Sequence, residues 1–202
     1  MSNVFTETKI ANAKAVLMSY FDELPATIQN GLIATKDKPR TLKIVDSVIY
    51  SQKFLGSNTT KELMESSDTV KAGITNINNR KLEPLNYMVV TGIRLLSDTI
   101  TAATPGSPTE AEIAGATLDI ASDKVINGEL EILVAGKTAY PRTSCRVFAN
   151  TDDHQGKGYY QLESPFVIAP QAEIVPTLRI YSAVSGDEVI RVELLGARII
   201  NA

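Results

Sequence analysis

The part of the chain that follows Leu82 is a succession of short segments with the composition of β-strands. The clearest of them runs from Asn86 to Leu96 and is rich in the β-branched and aromatic residues that fit a pleated, half-buried surface. No apolar pattern of helical length separates these segments, which excludes a βαβ alternation and favours antiparallel pairing. The predicted strands are 86–97, 116–121, 129–135, 142–149, 158–163, 165–169, 173–182 and 188–200.

Alternating side chains predict how these strands are buried. The runs Glu129–Ile132 and Arg191–Leu194 each alternate a charged residue with an apolar one. A strand with this period has one face in water and the other against a core. We therefore predict a mainly β fold for residues 81–202, an antiparallel two-sheet sandwich or jelly roll.

Glycines indicate where the strands turn or approach one another. Asn127-Gly128 is the strongest hairpin signal, because a type I′ turn requires positive φ at both central residues. Gly136-Lys137 and Gly186-Asp187 predict further turns. Gly196 lies inside the last predicted strand, where it predicts a bulge or a close approach of another backbone.

The first residues of the chain have helical periodicity. Apolar residues recur at three- and four-residue spacing from Ile10 to Leu24, and Pro25 ends the pattern. This predicts a helix over about 7–24. A lone helix of this length is marginal in water, so its apolar stripe must dock on the chain's own β-domain or on a neighbouring copy.

The segment between the predicted helix and the strands gives weaker signals. Residues 41–56 fit either period and are predicted as a strand, while 59–65 predict a short helical turn. The polar stretch 66–81 predicts an extended loop. We accordingly divide the chain into an N-terminal arm, residues 1–80, and a β-sandwich domain, residues 81–202.

Composition excludes a disordered chain and a membrane-spanning chain. With 202 residues, 44% of them apolar and 21% charged, the chain has the composition of an ordinary globular protein and contains no transmembrane segment. Its first residues lack the pattern of a signal peptide, which predicts a cytoplasm or a particle assembled there. The basic run 36–43 favours a solvated turn, and contact with nucleic acid is the alternative interpretation.

The chain offers few residues for side-chain chemistry, having one His and one Cys. His154 follows Asp152 and Asp153, a group that could bind a metal or serve in acid–base catalysis, but the glycines beside it favour a polar surface loop. Cys145 lies in a strand-like run and is interpreted as a small core residue. We predict no catalytic, cofactor-binding or metal-binding residue, and no enzymatic activity.

Two further sets of residues admit a functional interpretation. Paired carboxylates could serve a glycosidase, and tyrosines could form a platform for stacking sugars. We favour solvated sheet faces for the carboxylates and core or interface packing for the tyrosines. The residues concerned are Glu110 with Glu112, Glu129 with Glu131, and Tyr140, Tyr159, Tyr160 and Tyr181.

Three passages, 81–95, 127–137 and 164–199, together with the preceding helical arm, give the chain a likeness to a known class of protein. In pattern, the chain resembles bacteriophage virion proteins of the jelly-roll type. The resemblance implies a virion structural protein, assembled in the host cytoplasm, whose partners are copies of itself, as trimers or larger assemblies, and other virion proteins. It also implies that the loops 97–115 and 150–158 are exposed or lie between subunits.

The size of the chain narrows this resemblance. Only one jelly roll fits in residues 81–202, which leaves a single-jelly-roll shell protein, a vertex protein or a decoration protein. The alternative function is a carbohydrate- or receptor-binding β-sandwich, such as a module of a phage fibre or spike. A β-sandwich hydrolase is a third, less favoured interpretation.

Overall fold

The computed structural model describes residues 14–19, 22, 24–37, 39–150, 156–182 and 186–201, and it is mainly β with two antiparallel sheets. The strands are β1 (Leu42–Phe54), β2 (Thr60–Glu62), β3 (Met88–Ile100), β4 (Asp119–Ile120), β5 (Glu129–Val134), β6 (Lys137–Ser144), β7 (Tyr159–Ile168), β8 (Ile174–Arg179) and β9 (Asp187–Asn201). The helices are Ala26–Leu32, Glu110–Ala114, Asp123–Ile126 and the 3₁₀ turn Cys145–Phe148, and residues 14–19 are also helical.

The strands are paired in a nested order. In the first sheet β1 lies beside β9, β9 beside β3, and β3 pairs with both β7 and the short β4. The second sheet has the order β2-β8-β5-β6. If β4 is set aside, the first strand thus pairs with the last, the second with the next to last, and so inward to the β5–β6 hairpin. The chain crosses between the sheets several times in building this arrangement.

The main core lies between the two sheets. Ile93 of β3 and Val192 of β9 face Leu130 of β5 and Leu178 of β8, and each is at most 1% exposed. Full burial of such a side chain contributes about 1.5–3 kcal/mol. The alternation predicted for Glu129–Ile132 is confirmed, because Leu130 and Ile132 are buried while the two glutamates are only half-buried.

Strands from both sides of residue 80 share each sheet. The strand predicted over 41–56 is confirmed as β1, which pairs with β9 along its whole length. The helical turn predicted over 59–65 is wrong, since these residues include β2, which pairs with β8. The next residues, Leu63 and Met64, are buried in the core, so tertiary packing overrides the local helical preference.

The helix predicted over 7–24 falls largely outside the described residues. Within it, residues 14–19 are helical, and Leu17 is fully buried. Pro25 precedes the separate helix Ala26–Leu32. Among the described helices, none has both the length and the apolar character needed to span a membrane.

Two strand predictions in the second half need correction. The strand predicted over 142–149 is wrong in its second part, where the chain forms the 3₁₀ turn Cys145–Phe148. The strands predicted as 158–163 and 165–169 form one strand, β7, which contains Pro165. Among the described strands β7 pairs only with β3, and this pairing passes from Phe166 opposite Val90 to Gln161 opposite Gly92. Pro165 lies in the bulge of residues 162–165 that results, where no ladder hydrogen bond to β3 is required of it.

The hairpin predicted at Asn127-Gly128 is wrong. Asn127 has φ −81° and ends the short helix Asp123–Ile126, and a Cβ added to Gly128 would lie 2.5 Å from the carbonyl oxygen of Arg179. The tight hairpin forms instead at Ala135-Gly136, between β5 and β6, with φ values of 50° and 75°. Gly136 therefore lies in a turn, as its sequence predicted.

The close approach predicted at Gly196 is confirmed. This residue lies in β9 between β1 and β3, and a Cβ added to it would be 1.8 Å from the carbonyl oxygen of Val89. The register shift that accompanies this contact lies in β3, between Val90 and Gly92. Glycine is required here because the neighbouring backbone occupies the position of a side chain.

Candidate functional site

The group around His154, considered for metal binding and acid–base catalysis, lies in a part of the chain that the structure does not describe. His154 and the two aspartates before it lie outside the described residues. Within the described ranges, no three His, Cys, Asp or Glu side chains cluster in a way that could hold a metal ion.

Cys145 is a buried core residue, as predicted. Burial raises the pKa of its thiol to about 12, and the negative charge of Glu129 acts in the same direction. The thiolate, which is the nucleophile, is therefore a very small fraction at neutral pH.

We expect the Cys145 thiol to react with iodoacetamide at pH 8 at least a hundredfold more slowly in the folded chain than in denaturant. At pH 8, four units below the folded pKa, about one thiol in 10,000 is ionised. Because the chain has one cysteine, mass spectrometry of the intact protein reports this residue alone. Rapid modification of the folded chain would contradict the burial described here.

The paired carboxylates are engaged in structural interactions. Glu110 and Glu112 lie on a helix rather than on a strand, and Glu112 forms a capping box with Thr109. Donation to Glu112 from the backbone N–H groups of Ala103 and Thr109 lowers the pKa of its carboxyl. Glu129 pairs with Arg142, and Glu131 pairs with Arg179 at 3.0 Å.

The tyrosines do not form a common platform. Tyr140 and Tyr160 pack near each other with ring centroids 6.5 Å apart, and Phe148 meets Tyr160 edge-on at 6.0 Å. Tyr159, the neighbour of Tyr160 in β7, is buried on the opposite, outer face of the first sheet, whereas Tyr181 is 98% exposed. The packing interpretation is confirmed for three of the four residues, and Tyr181 is the exception.

The outer face of the first sheet carries three charged side chains and one aromatic ring in contact with one another. We call this group the arginine cluster: Arg94, Arg191, Glu193 and Tyr50. Glu193 is 7% exposed, and it accepts hydrogen bonds from Arg94 at 3.0 Å and from Arg191 at 2.8 Å. The Arg191 guanidinium also lies 3.9 Å from the centroid of the Tyr50 ring. Two cations surround one nearly buried anion. Charge-assisted hydrogen bonds thus link β9 to β3, and the cation–π contact with Tyr50 links β9 to β1.

Strand register explains why these residues meet. Tyr50, Glu193, Arg94 and Tyr159 lie opposite one another in β1, β9, β3 and β7. The Tyr159 ring lies over Gly92, where an added Cβ would be 2.3 Å from the phenol oxygen. The row therefore continues the cluster onto β7 through an aromatic side chain.

The same outer face also carries an apolar surface, towards one end of the sheet. We call it the outer patch: Leu42, Val89, Ala197 and Ile199. The N-terminal segment, by which we mean the described residues from 14 to 32, covers it with Leu17, Leu24, Ile28 and Leu32. The described part of this segment thus packs on its own sheet, which was one of the two alternatives for its apolar stripe.

The connection between the N-terminal segment and β1 is exposed. Every described residue from 33 to 41 is exposed, including Lys36 and Arg40 of the basic run, while Lys38 lies outside the described residues. Thr41 donates its N–H to the Gly31 carbonyl at 3.1 Å. The solvated-turn interpretation agrees with this exposure, and contact with nucleic acid stays a prediction.

Sequence reasoning missed the arginine cluster and the outer patch. Charged residues inside otherwise apolar strands, such as Arg94 in β3, were the available signal for the cluster. The register that brings β1, β9 and β3 together is a long-range property, so their sequence spacing could not reveal it. The outer patch was hidden because Leu42 and Val89 look like ordinary strand residues.

Compared with known protein families and with curated proteins, the sequence matches none of them.

Proposed function

We propose that this protein is a virion structural protein that self-assembles into or onto an icosahedral phage capsid through its arm and β-sandwich. The nested strand pairing carries the proposal. A ribbon of four antiparallel pairs, β1·β9, β2·β8, β3·β7 and β5·β6, wrapped into two sheets, is the arrangement expected of a jelly roll. Jelly rolls occur in viral capsid and lectin domains.

The outer patch favours assembly over sugar recognition. It is an apolar surface on the outside of a sheet, where the N-terminal segment covers it with four leucine or isoleucine side chains. Leu17, which lies in the described helical stretch 14–19, is fully buried. A segment held by its apolar side chains in this way is a suitable device for contacts between copies, because the same patch can receive it from either chain.

The exposed connection supports the same interpretation. Residues 33–41 join the covering segment to β1, and their exposure leaves the segment attached mainly through the outer patch. The ion pair between Lys14 and Asp46 adds little, since its atoms are 3.9 Å apart and both side chains are more than 40% exposed. The burial of apolar side chains on the outer patch therefore provides most of the energy that positions the N-terminal segment.

We expect Leu17→Asp to remove the N-terminal segment from the outer patch and to reduce the mass of the assembled particles. Placing a carboxylate where a leucine is fully buried costs about 3 kcal/mol or more. The neighbouring Met18 is 45% exposed, so Met18→Asp is the matched control and should assemble as the unaltered chain does. Multi-angle light scattering after size-exclusion chromatography measures the mass at several concentrations.

Two results would contradict the proposal. A monomer at every concentration, for the unaltered chain, would remove the assembly role, and glycan binding by such a monomer would establish the recognition alternative. Equal masses for Leu17→Asp and Met18→Asp would show that the arm is not the assembling element. Thermal unfolding of each variant establishes that the sandwich itself is retained.

A further inference from the structure

One edge of the first sheet is only partly covered by the residues that the structure describes. The outward side of β1 is occupied from residue 48 to residue 52 by the segment 74–76. Tyr50 and Gln52 donate their N–H groups to the Asn76 side chain and the Ile74 carbonyl, at 2.8 and 2.7 Å. Because backbone groups alternate along a strand, the N–H and C=O groups of the other even-numbered residues of β1 also point away from β9.

Asn76 ends the covered stretch. Its side-chain amide imitates a peptide group, with Oδ1 accepting from the Tyr50 N–H and the amide nitrogen donating to the Val48 carbonyl at 2.7 Å. Between Val48 and the N-terminal end of β1, the outward backbone groups of Leu42, Ile44 and Asp46 meet no partner strand among the described residues. This open edge is regular, since the β1–β9 register runs through it without a bulge.

We propose that the open edge, Leu42–Asp46, pairs antiparallel with the same edge of a second copy about a two-fold axis. The pairing joins two first sheets into one continuous sheet and satisfies the outward N–H and C=O groups of both chains. It deepens the proposed self-assembly and rests on it for its biological setting. A strand that meets its own copy makes an isologous contact, which closes at a dimer.

Three registers agree with the direction of the backbone groups and place the axis between the two end residues of the open edge, and two of these are disfavoured. An axis through Lys43 places that lysine opposite its own counterpart, so that two like charges face each other. An axis through Val45 requires pairing at Val48, whose carbonyl already accepts from Asn76. An axis through Ile44 places Leu42 opposite Asp46 of the second copy and Lys43 opposite its Val45, without like charges in apposition.

The test compares Asp46→Pro with Asp46→Ala. Both variants lose the exposed carboxylate, but only proline lacks the outward N–H that donates to the second copy. Proline is tolerated on an edge strand, and the pairing with β9 does not use this N–H. We expect the dimer dissociation constant from sedimentation velocity to rise about tenfold or more for Asp46→Pro, since symmetry removes the bond twice, and to change little for Asp46→Ala.

Cysteine cross-linking tests the register and does not depend on the proline variant folding. Ile44→Cys should form an intermolecular disulfide under mild oxidation, because the axis brings two copies of this residue to hydrogen-bonded-pair distance, whereas Ser47→Cys should not. The natural Cys145 is buried and does not compete. Efficient cross-linking of Ser47→Cys with none of Ile44→Cys would overturn the register.

The remaining outcomes separate this contact from assembly in general. If the unaltered chain assembles and Asp46→Pro assembles equally well, the edge contact is overturned while the proposed function stands. If the unaltered chain is a monomer at every concentration, both are overturned. Dimers that weaken only in Asp46→Pro support both.

Discussion

Gly196→Ala is expected to abolish most of the folded population. The added Cβ would lie 1.8 Å from the Val89 carbonyl oxygen. The nearest atoms all belong to the backbone of Val89 and Val90, so the clash cannot be relieved by the rotation of a side chain. Gly196 pairs with strands on both sides, so a shift of its backbone would disturb β1 and β3 together. We expect a loss of more than about 4 kcal/mol in the free energy of unfolding, measured by chemical denaturation.

Gly106→Ala is the matched control for this substitution. Gly106 has φ +79°, and an added Cβ would have no neighbour within 4 Å. The control therefore isolates the conformational cost of a left-handed residue, about 1–2 kcal/mol. If Gly196→Ala proves no more destabilising than Gly106→Ala, the close approach of β9 to β3 described here is incorrect.

Glu193→Gln is expected to lower the free energy of unfolding by about 3 kcal/mol. The change leaves the guanidinium groups of Arg94 and Arg191 close together without the anion between them, on a face where Glu193 is 7% exposed. Removing one partner of a buried ion pair is more damaging than its net contribution suggests, since the other charges remain desolvated. The melting temperature should fall by about 6–12 °C.

Glu62→Gln removes a carboxylate from an exposed ion pair and serves as the control. Glu62 accepts from Arg80 at 2.9 Å, but its side chain is 50% exposed, and Arg80 also pairs with Glu173. We expect a change within about 0.5 kcal/mol. Equal melting temperatures for the two variants would show that the arginine cluster does not stabilise the sheet.

Much of the mainly β fold could be predicted from local pattern. β5 and β9 were anticipated because their charged and apolar residues alternate, and Gly196 because a glycine inside such a strand indicates a close backbone. One source of error was long-range pairing. β2 was mistaken for a helical turn because only pairing with β8 makes Thr60–Glu62 a strand.

Turn chemistry was a second source of error. Asn127-Gly128 has the composition of a type I′ hairpin, yet the helix Asp123–Ile126 sets its conformation. The hairpin formed at Ala135-Gly136, where alanine adopts positive φ against its own preference because β5 and β6 converge there. Thr109 and Glu112 carry a capping-box signal, whereas Glu110 and Glu112 were interpreted as carboxylates on a solvated sheet face.

The candidate surfaces were less predictable than the strands. The arginine cluster and the outer patch each combine residues of β1, β3 and β9, which are far apart in the sequence. Their formation depends on which strands become neighbours, and neither composition nor periodicity contains that information. The open edge of β1 likewise appears only once Asn76 is seen to end the covered stretch.

Electron microscopy of the purified 202-residue chain tests the proposed self-assembly most directly. We predict closed shells or regular oligomers of uniform size, in which two-fold contacts join first sheets through the Leu42–Asp46 edge. Isolated particles of a single chain, unchanged as the concentration is raised well above micromolar, would contradict the account.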